Sequence, residues 1–146
     1  MERYLGNDLI FKDQKVPTSL LLEAKHVLLY FSGVYSPPSQ EFTPKLADFY
    51  TRCNEHQRIL EIVFVSCDIS HEDFRQYYSE MPWAAVPYEE KALRDILVRH
   101  YEVDGLPYLV LIDHKGSLLS NHCRSDLLTK SLEECLECWS EHKEFT

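Results

Sequence analysis

No apolar run in this sequence approaches the roughly 20 residues that a membrane-spanning helix needs. The opening MERYLGNDLI also lacks the basic start and long apolar stretch of a secretory signal, so a cytoplasmic chain with no membrane partner is expected. Basic charge is short: 15 Lys and Arg against 24 Asp and Glu leave a formal −9, which argues against nucleic acid or an anionic membrane surface as a partner. That balance favours solubility and selects no function. The five cysteines (Cys53, Cys67, Cys123, Cys135, Cys138) are odd in number and irregular in spacing, unlike a secreted disulfide framework. Reduced thiols are expected instead. Internal repeats, low-complexity segments and linkers are also lacking. At 146 residues and 45% apolar composition, one domain over 1–146 with a single compact core is expected.

What is present reads as α/β. Three short, largely apolar, β-branched runs, His26 to Ser32, Ile59 to Ser66 and Tyr108 to Asp113, have the character of strands covered on both faces. Between the first two, Pro37 to Glu55 places Phe42, Leu46, Phe49 and Tyr50 on one helical face. Ser36 stands before two prolines, which a helix tolerates in its first turn, and so is a natural N-cap; Pro44 falls inside the helix and is expected to kink it. His71 to Glu80 and Glu89 to Tyr101 also read as helices, the second with Leu93, Ile96, Leu97 and Val98 on or near its buried side. His114-Lys115-Gly116 fits a tight turn into a short strand, Ser117 to Ser120. Ser125 to His142 then closes the chain as one amphipathic helix through Leu128, Leu132, Cys135 and Trp139.

The segment FSGVYSPPSQEFTPKLADFY, from Phe31 to Tyr50, resembles the strand-to-helix junction of the tryparedoxin and nucleoredoxin family of the thioredoxin superfamily, most closely the nucleoredoxin-like proteins. The family's junction usually reads F-S-A-S-W-C-P-P-C-R-x-F-T-P-x-L-x-x-F-Y. FVSCD (Phe64 to Asp68), MPWAAVPY (Met81 to Tyr88) and GLPYLVLID (Gly105 to Asp113) resemble further family segments in the same order and spacing. The resemblance implies a thioredoxin fold, a central mixed β-sheet flanked by helices on both faces, with the redox pair at the N-terminus of the kinked helix. It also implies a cis bond before Pro107, beside a groove where an extended peptide could pair with the backbone of Gly105 and Leu106. Candidate groove residues are Tyr35, Pro37, Pro38, Trp83, Leu106 and Pro107, with Trp83 and Tyr88 equally suited to closing the sheet edge.

The departure from the family pattern bears on function. Ser36 and Ser39 stand at the attacking and resolving cysteine positions, and a hydroxyl neither ionises as a thiol does nor passes on a disulfide bond. No catalytic residue is therefore assigned, and a redox-inactive protein that binds a peptide or protein in the groove is expected. Two other readings stay open: an engineered Cys-to-Ser form of an active protein-disulfide oxidoreductase, and an assembly module that docks through its acidic surface. Drift at Val34, Tyr35 and Gln40, with five cysteines retained, favours natural divergence. A serine hydrolase is not expected, because no histidine or G-x-S-x-G turn accompanies Ser36, and His71 and His100 read as solvent-facing. No cofactor or metal is expected either: the single C-x-x-C, Cys135 to Cys138, with His122, Cys123 and His142 nearby in sequence, matches no standard zinc spacing. Cys135 is expected to pack inward, and Cys53 and Cys67 to be buried. Cys123 is read as the exposed thiol.

Overall fold

The computed structural model describes residues 1–144. A one-turn helix α1 (Glu2–Leu5), a hairpin of β1 (Asp8–Phe11) and β2 (Gln14–Pro17), and a 3-10 segment (Thr18–Glu23) precede β3 (His26–Ser32). There follow α2 (Pro37–Cys53), β4 (Leu60–Ser66), α3 (His71–Tyr78), β5 (Ala84–Ala85), α4 (Lys91–His100), β6 (Tyr108–Ile112), β7 (Leu118–Ser120), α5 (Cys123–Thr129) and α6 (Leu132–Glu144). The sheet has seven strands in the order β2-β1-β5-β4-β3-β6-β7, with β3, β4 and β5 parallel and the other neighbours antiparallel. It is a thioredoxin fold: a mixed sheet with helices on both faces.

Successive strand side chains point to opposite faces, so a run that is apolar on both faces must be covered twice. The central strands β3 and β4 are largely apolar and are buried at every position. Leu28, Tyr30, Ile62, Phe64, Leu109 and Leu111 join α2, α3 and α6 in one core layer through Phe42, Leu46, Phe74 and Trp139. The intervening Val27, Leu29, Phe31, Val63, Val65, Val110 and Ile112 meet Leu5, Leu9, Leu21, Leu97 and Tyr101 in the other.

The ends of the main elements are chemically specified. After α2, the Asn54 side chain accepts the Ile59 and Leu60 amides and donates to the Leu60 carbonyl, so it serves the edge of β4 as a neighbouring strand would. At the β6–β7 turn, Asp113 Oδ1 accepts the amides of Lys115 and Ser117. Gly116 in that turn has φ +93°, and the Tyr4 ring lies where a Cβ would go.

Three expectations need correction. No element was assigned before His26, yet β1 and β2 extend the sheet; each has only four residues, too few for a periodicity to register. The closing segment is two helices, because Lys130 turns to an extended conformation and Ser131 starts α6 with a capping box: its Oγ accepts the Glu134 amide and the Glu134 carboxylate accepts the Ser131 amide. The break leaves Leu128 exposed, whereas Cys135 and Trp139 are buried as expected. In α4, Leu97 is buried but Ile96 is half exposed. Among the described residues, no helix is long and apolar enough to cross a membrane.

Candidate functional site

Strand register gathers three loops at one end of the sheet. Ser32 pairs with Ser66 across the parallel β3–β4 ladder, and Phe31 pairs with Tyr108 across the antiparallel β3–β6 ladder. The segments 33–36, 67–70 and 104–107 therefore emerge side by side. The first two are tied together: Asp68 Oδ1 accepts the Val34 amide at 2.7 Å, and Oδ2 accepts the Ser66 hydroxyl at 2.6 Å. Burial raises the Asp68 pKa, opposed by the hydrogen bonds from Ser66 and Val34.

Ser36 caps α2 in an extended conformation, its Oγ accepting the Ser39 amide at 3.4 Å and its carbonyl accepting the Gln40 amide at 3.1 Å. Pro37 and Pro38 bring no amide hydrogen to satisfy, and both are exposed. Tyr35 is 55% exposed and its ring folds over Gly33, where a Cβ would lie 2.7 Å from Cε1. Gln40 secures the loop by donating to the Val34 carbonyl.

Ser39 is different. It is fully buried, and its hydroxyl has no hydrogen-bond partner. Its carbonyl accepts from Thr43 Oγ1 at 2.9 Å and from the Tyr77 hydroxyl at 3.2 Å, the top of a buried chain of hydroxyls in which Tyr77 also meets Ser32 (2.6 Å) and Thr43 (2.5 Å), and Thr43 meets Tyr30 (2.7 Å). This network anchors the first turn of α2 to β3 and α3.

The third loop holds a cis Leu106–Pro107 bond, as expected. Gly105 to Tyr108, His122 and Arg124 line a depression of about 270 Å³, and Arg124 donates to the Pro107 carbonyl at 3.4 Å. Beside the second loop lies a larger cavity of about 640 Å³, walled by Cys67, Asp68, His71, Tyr88, Lys91 and Arg94. Arg94 is 7% exposed, donates to the carbonyls of Tyr88 and Ser66, and lies 4.0 Å over the Tyr88 ring.

The thioredoxin-like family pattern matches residues 23–118. Nucleoredoxin from Homo sapiens is 41% identical over 116 residues, 80% of this chain and 26% of that protein. Tryparedoxin from Trypanosoma brucei brucei is 31% identical over 131 residues, 88% of this chain and 90% of that one. The chain belongs to the thioredoxin-like family, in its tryparedoxin and nucleoredoxin branch. It spans about a quarter of the length of the nucleoredoxin it matches. Tryparedoxin II complexed with glutathionylspermidine superposes with a TM-score of 0.77 at 31% identity, covering 84% of this chain and 85% of that one.

For this thioredoxin-like chain, Tyr35, Ser36, Pro37, Pro38, Leu106 and Pro107 do gather at one end of the sheet. Trp83 does not line a groove there. It is fully buried, edge-on to Tyr30 and Tyr50 at centroid distances of 6.0 and 5.6 Å, because the turn into β5 drives the indole into the core beneath α2. Tyr88 is half-buried and braces the second loop, its hydroxyl donating to the Asp68 carbonyl.

Cys123 is likewise not the exposed thiol. It is the first residue of α5 and fully buried, and burial pushes its pKa up. Cys135 packs inward as expected, and its thiol donates to the Asp126 carbonyl at 3.4 Å. Cys53 is buried and Cys67 half-buried, whereas Cys138, also half-buried, has the Lys130 ammonium 3.8 Å away. Sequence reasoning missed Asp68 and Arg94 as organisers of the site. Asp68 was legible within the FVSCD match; Arg94 sits in a helix that reads as ordinary.

Proposed function

We propose that this chain is a single-domain, redox-inactive member of the branch, a pseudo-oxidoreductase that binds an extended peptide or protein segment where its relatives exchange disulfides. The observation that carries the reading is the pair of hydroxyls at the motif: Ser36 is engaged as a helix cap, and no thiol stands at either position. A serine oxygen cannot form and release the mixed disulfide on which exchange depends. The exposed Tyr35, the partly exposed Leu106 and the depression beside Pro107 offer apolar and backbone contacts to an extended segment. A structurally similar tryparedoxin II is known complexed with glutathionylspermidine, which supports a ligand-binding role for this fold. Five unpaired cysteines fit a reducing, cytoplasmic setting.

A second reading, that serines were introduced into an active oxidoreductase, draws on the unpartnered Ser39 hydroxyl: a buried thiol has far less need of a hydrogen-bond partner. The source-gene codons for positions 36 and 39 separate the two.

The experiment is an insulin-reduction assay on the chain and on its Ser36→Cys/Ser39→Cys double variant. The unaltered chain is expected to be silent, and the variant to gain turnover if only the nucleophiles are missing. Turnover by the unaltered chain with its accessible thiols blocked would overturn the redox-inactive reading. Binding is tested separately, by whether Tyr35→Ala weakens capture of peptides selected on the unaltered chain; equal capture would count against the groove.

A further inference from the structure

Three of the five cysteines converge on the joint between α5 and α6. Cys135 and Cys138 are three residues apart in α6, the spacing that puts two side chains on one helical face. Both sulfurs turn toward the end of α5. The Cys135 thiol donates to the Asp126 carbonyl at 3.4 Å; the Cys138 sulfur accepts from the Lys130 ammonium at 3.8 Å, and the same ammonium donates to Asp126 Oδ1 at 2.9 Å. Cys123, at the start of α5, donates to the Ser120 carbonyl at 3.9 Å. Pro44, Phe49 and Arg52 of α2 lie across a cavity from Leu127 and Leu132, so the joint faces the middle and C-terminal half of α2 rather than Ser36.

The three thiols are not equivalent. Cys123 and Cys135 are closed to solvent, and burial pushes both thiols up, Cys135 to about 11. Cys138 is half-buried with a cation beside it, and Asp126 keeps that cation charged by raising the Lys130 pKa. An ammonium next to a sulfur favours the thiolate, the form that attacks an oxidant. Solvent therefore meets Cys138 first, and one helical turn back on the same face stands Cys135.

We propose that Cys138 is a hydroperoxide-sensitive thiol, promoted by Lys130, that closes a reversible disulfide with Cys135. The Cys138 sulfur attacks a peroxide oxygen and the O–O bond breaks; Cys138 becomes a sulfenic acid, and the hydroperoxide ROOH leaves as ROH. The Cys135 thiol then attacks that sulfur, the S–S bond forms, and the sulfenic hydroxyl leaves with the thiol proton as water. The two electrons lost by the thiols are taken up by the peroxide. Cβ atoms three residues apart in a helix are separated by about 5–6 Å, against roughly 3.8 Å in a relaxed disulfide, so the bond tightens the helical turn and is correspondingly easy to reduce. No motif residue takes part, so this chemistry is separate from disulfide exchange at positions 36 and 39.

The test exposes the full, reduced chain to hydrogen peroxide, alkylates the remaining thiols after unfolding, and maps tryptic peptides by mass spectrometry. Peptide 131–143 carries both Cys135 and Cys138. It is expected to emerge unalkylated and two hydrogens lighter, with Cys53, Cys67 and Cys123 alkylated, and to regain both thiols after a dithiol reductant. Cys138→Ser is expected to abolish the change, and Lys130→Met to slow it severalfold. In Cys135→Ser the sulfenic acid should persist and be captured by dimedone; the map of the unaltered chain decides the bond even where that core variant fails to fold. Cys138 oxidised to sulfinic acid with no internal bond, a link from Cys138 to Cys123 or to a second chain, or an unchanged rate in Lys130→Met would each overturn the proposal.

Discussion

Removing the Tyr77 hydroxyl tests whether the buried chain beneath the motif holds α2 in place. Tyr77→Phe keeps the ring, so its edge-on contact with Phe64 at 5.7 Å is retained and no cavity of note opens. What goes is the partner of Ser32 Oγ at 2.6 Å and of Thr43 Oγ1 at 2.5 Å, and one of the two side-chain donors to the Ser39 carbonyl. A buried polar group stripped of its partner costs about 1–3 kcal/mol, so a loss of about 2 kcal/mol is expected. For a chain of this length that lowers Tm by about 4–8 °C. Urea unfolding should give an earlier midpoint at unchanged slope. Adding Ser32→Ala removes the stranded hydroxyl, so the double variant should be less destabilised than the two single losses together. A Tyr77→Phe protein within about 0.5 kcal/mol of the parent, the range of an inconsequential surface change, would refute the reasoning.

Other outcomes follow from the same structure. Asp126 accepts Trp139 Nε1 at 3.1 Å and the Lys130 ammonium at 2.9 Å, joining α5 to α6; Asp126→Ala leaves a buried indole N–H unpaired and should cost about 2 kcal/mol, read by thermal unfolding. Burial pushes the Cys53 thiol up to about 12 and the Cys67 and Cys135 thiols to about 11, so brief alkylation near neutral pH, mapped by mass spectrometry, should mark Cys138 first; Cys123 labelling first would contradict its burial. For Asp68, a folded-state pKa raised by burial means that the folded protein holds its proton more tightly than the unfolded chain. The stability it contributes is therefore fullest below the ordinary carboxylate pKa and declines as pH rises through the folded value. Asp68→Asn should flatten that part of the curve of unfolding free energy against pH, and an unaltered curve would count against the assignment.

Much of the architecture was legible because the central strands are largely apolar on both faces, a pattern that a sheet covered on both faces satisfies. Ser36 as a helix cap and the cis bond before Pro107 were legible too, the first from cap chemistry and the second from family resemblance. Trp83 was ambiguous, since a tryptophan in a proline-broken segment suits a groove or a core equally well in one dimension. Cys123 was misplaced because a polar stretch, Asn121 to Arg124, reads as a surface loop, while the thiol itself turns inward as α5 begins.

The sequence by itself determined the layered α/β frame and placed serine at both motif positions, because periodicity, caps and motif spacing are local properties of the chain. Tertiary structure alone decided which side chains share the motif end, since Val34, Asp68, Arg94 and Arg124 meet only through strand register and loop closure. It alone decided that the Ser39 hydroxyl is buried without a partner. Burial, partnership and empty space depend on residues distant in the chain, and no local pattern carries them.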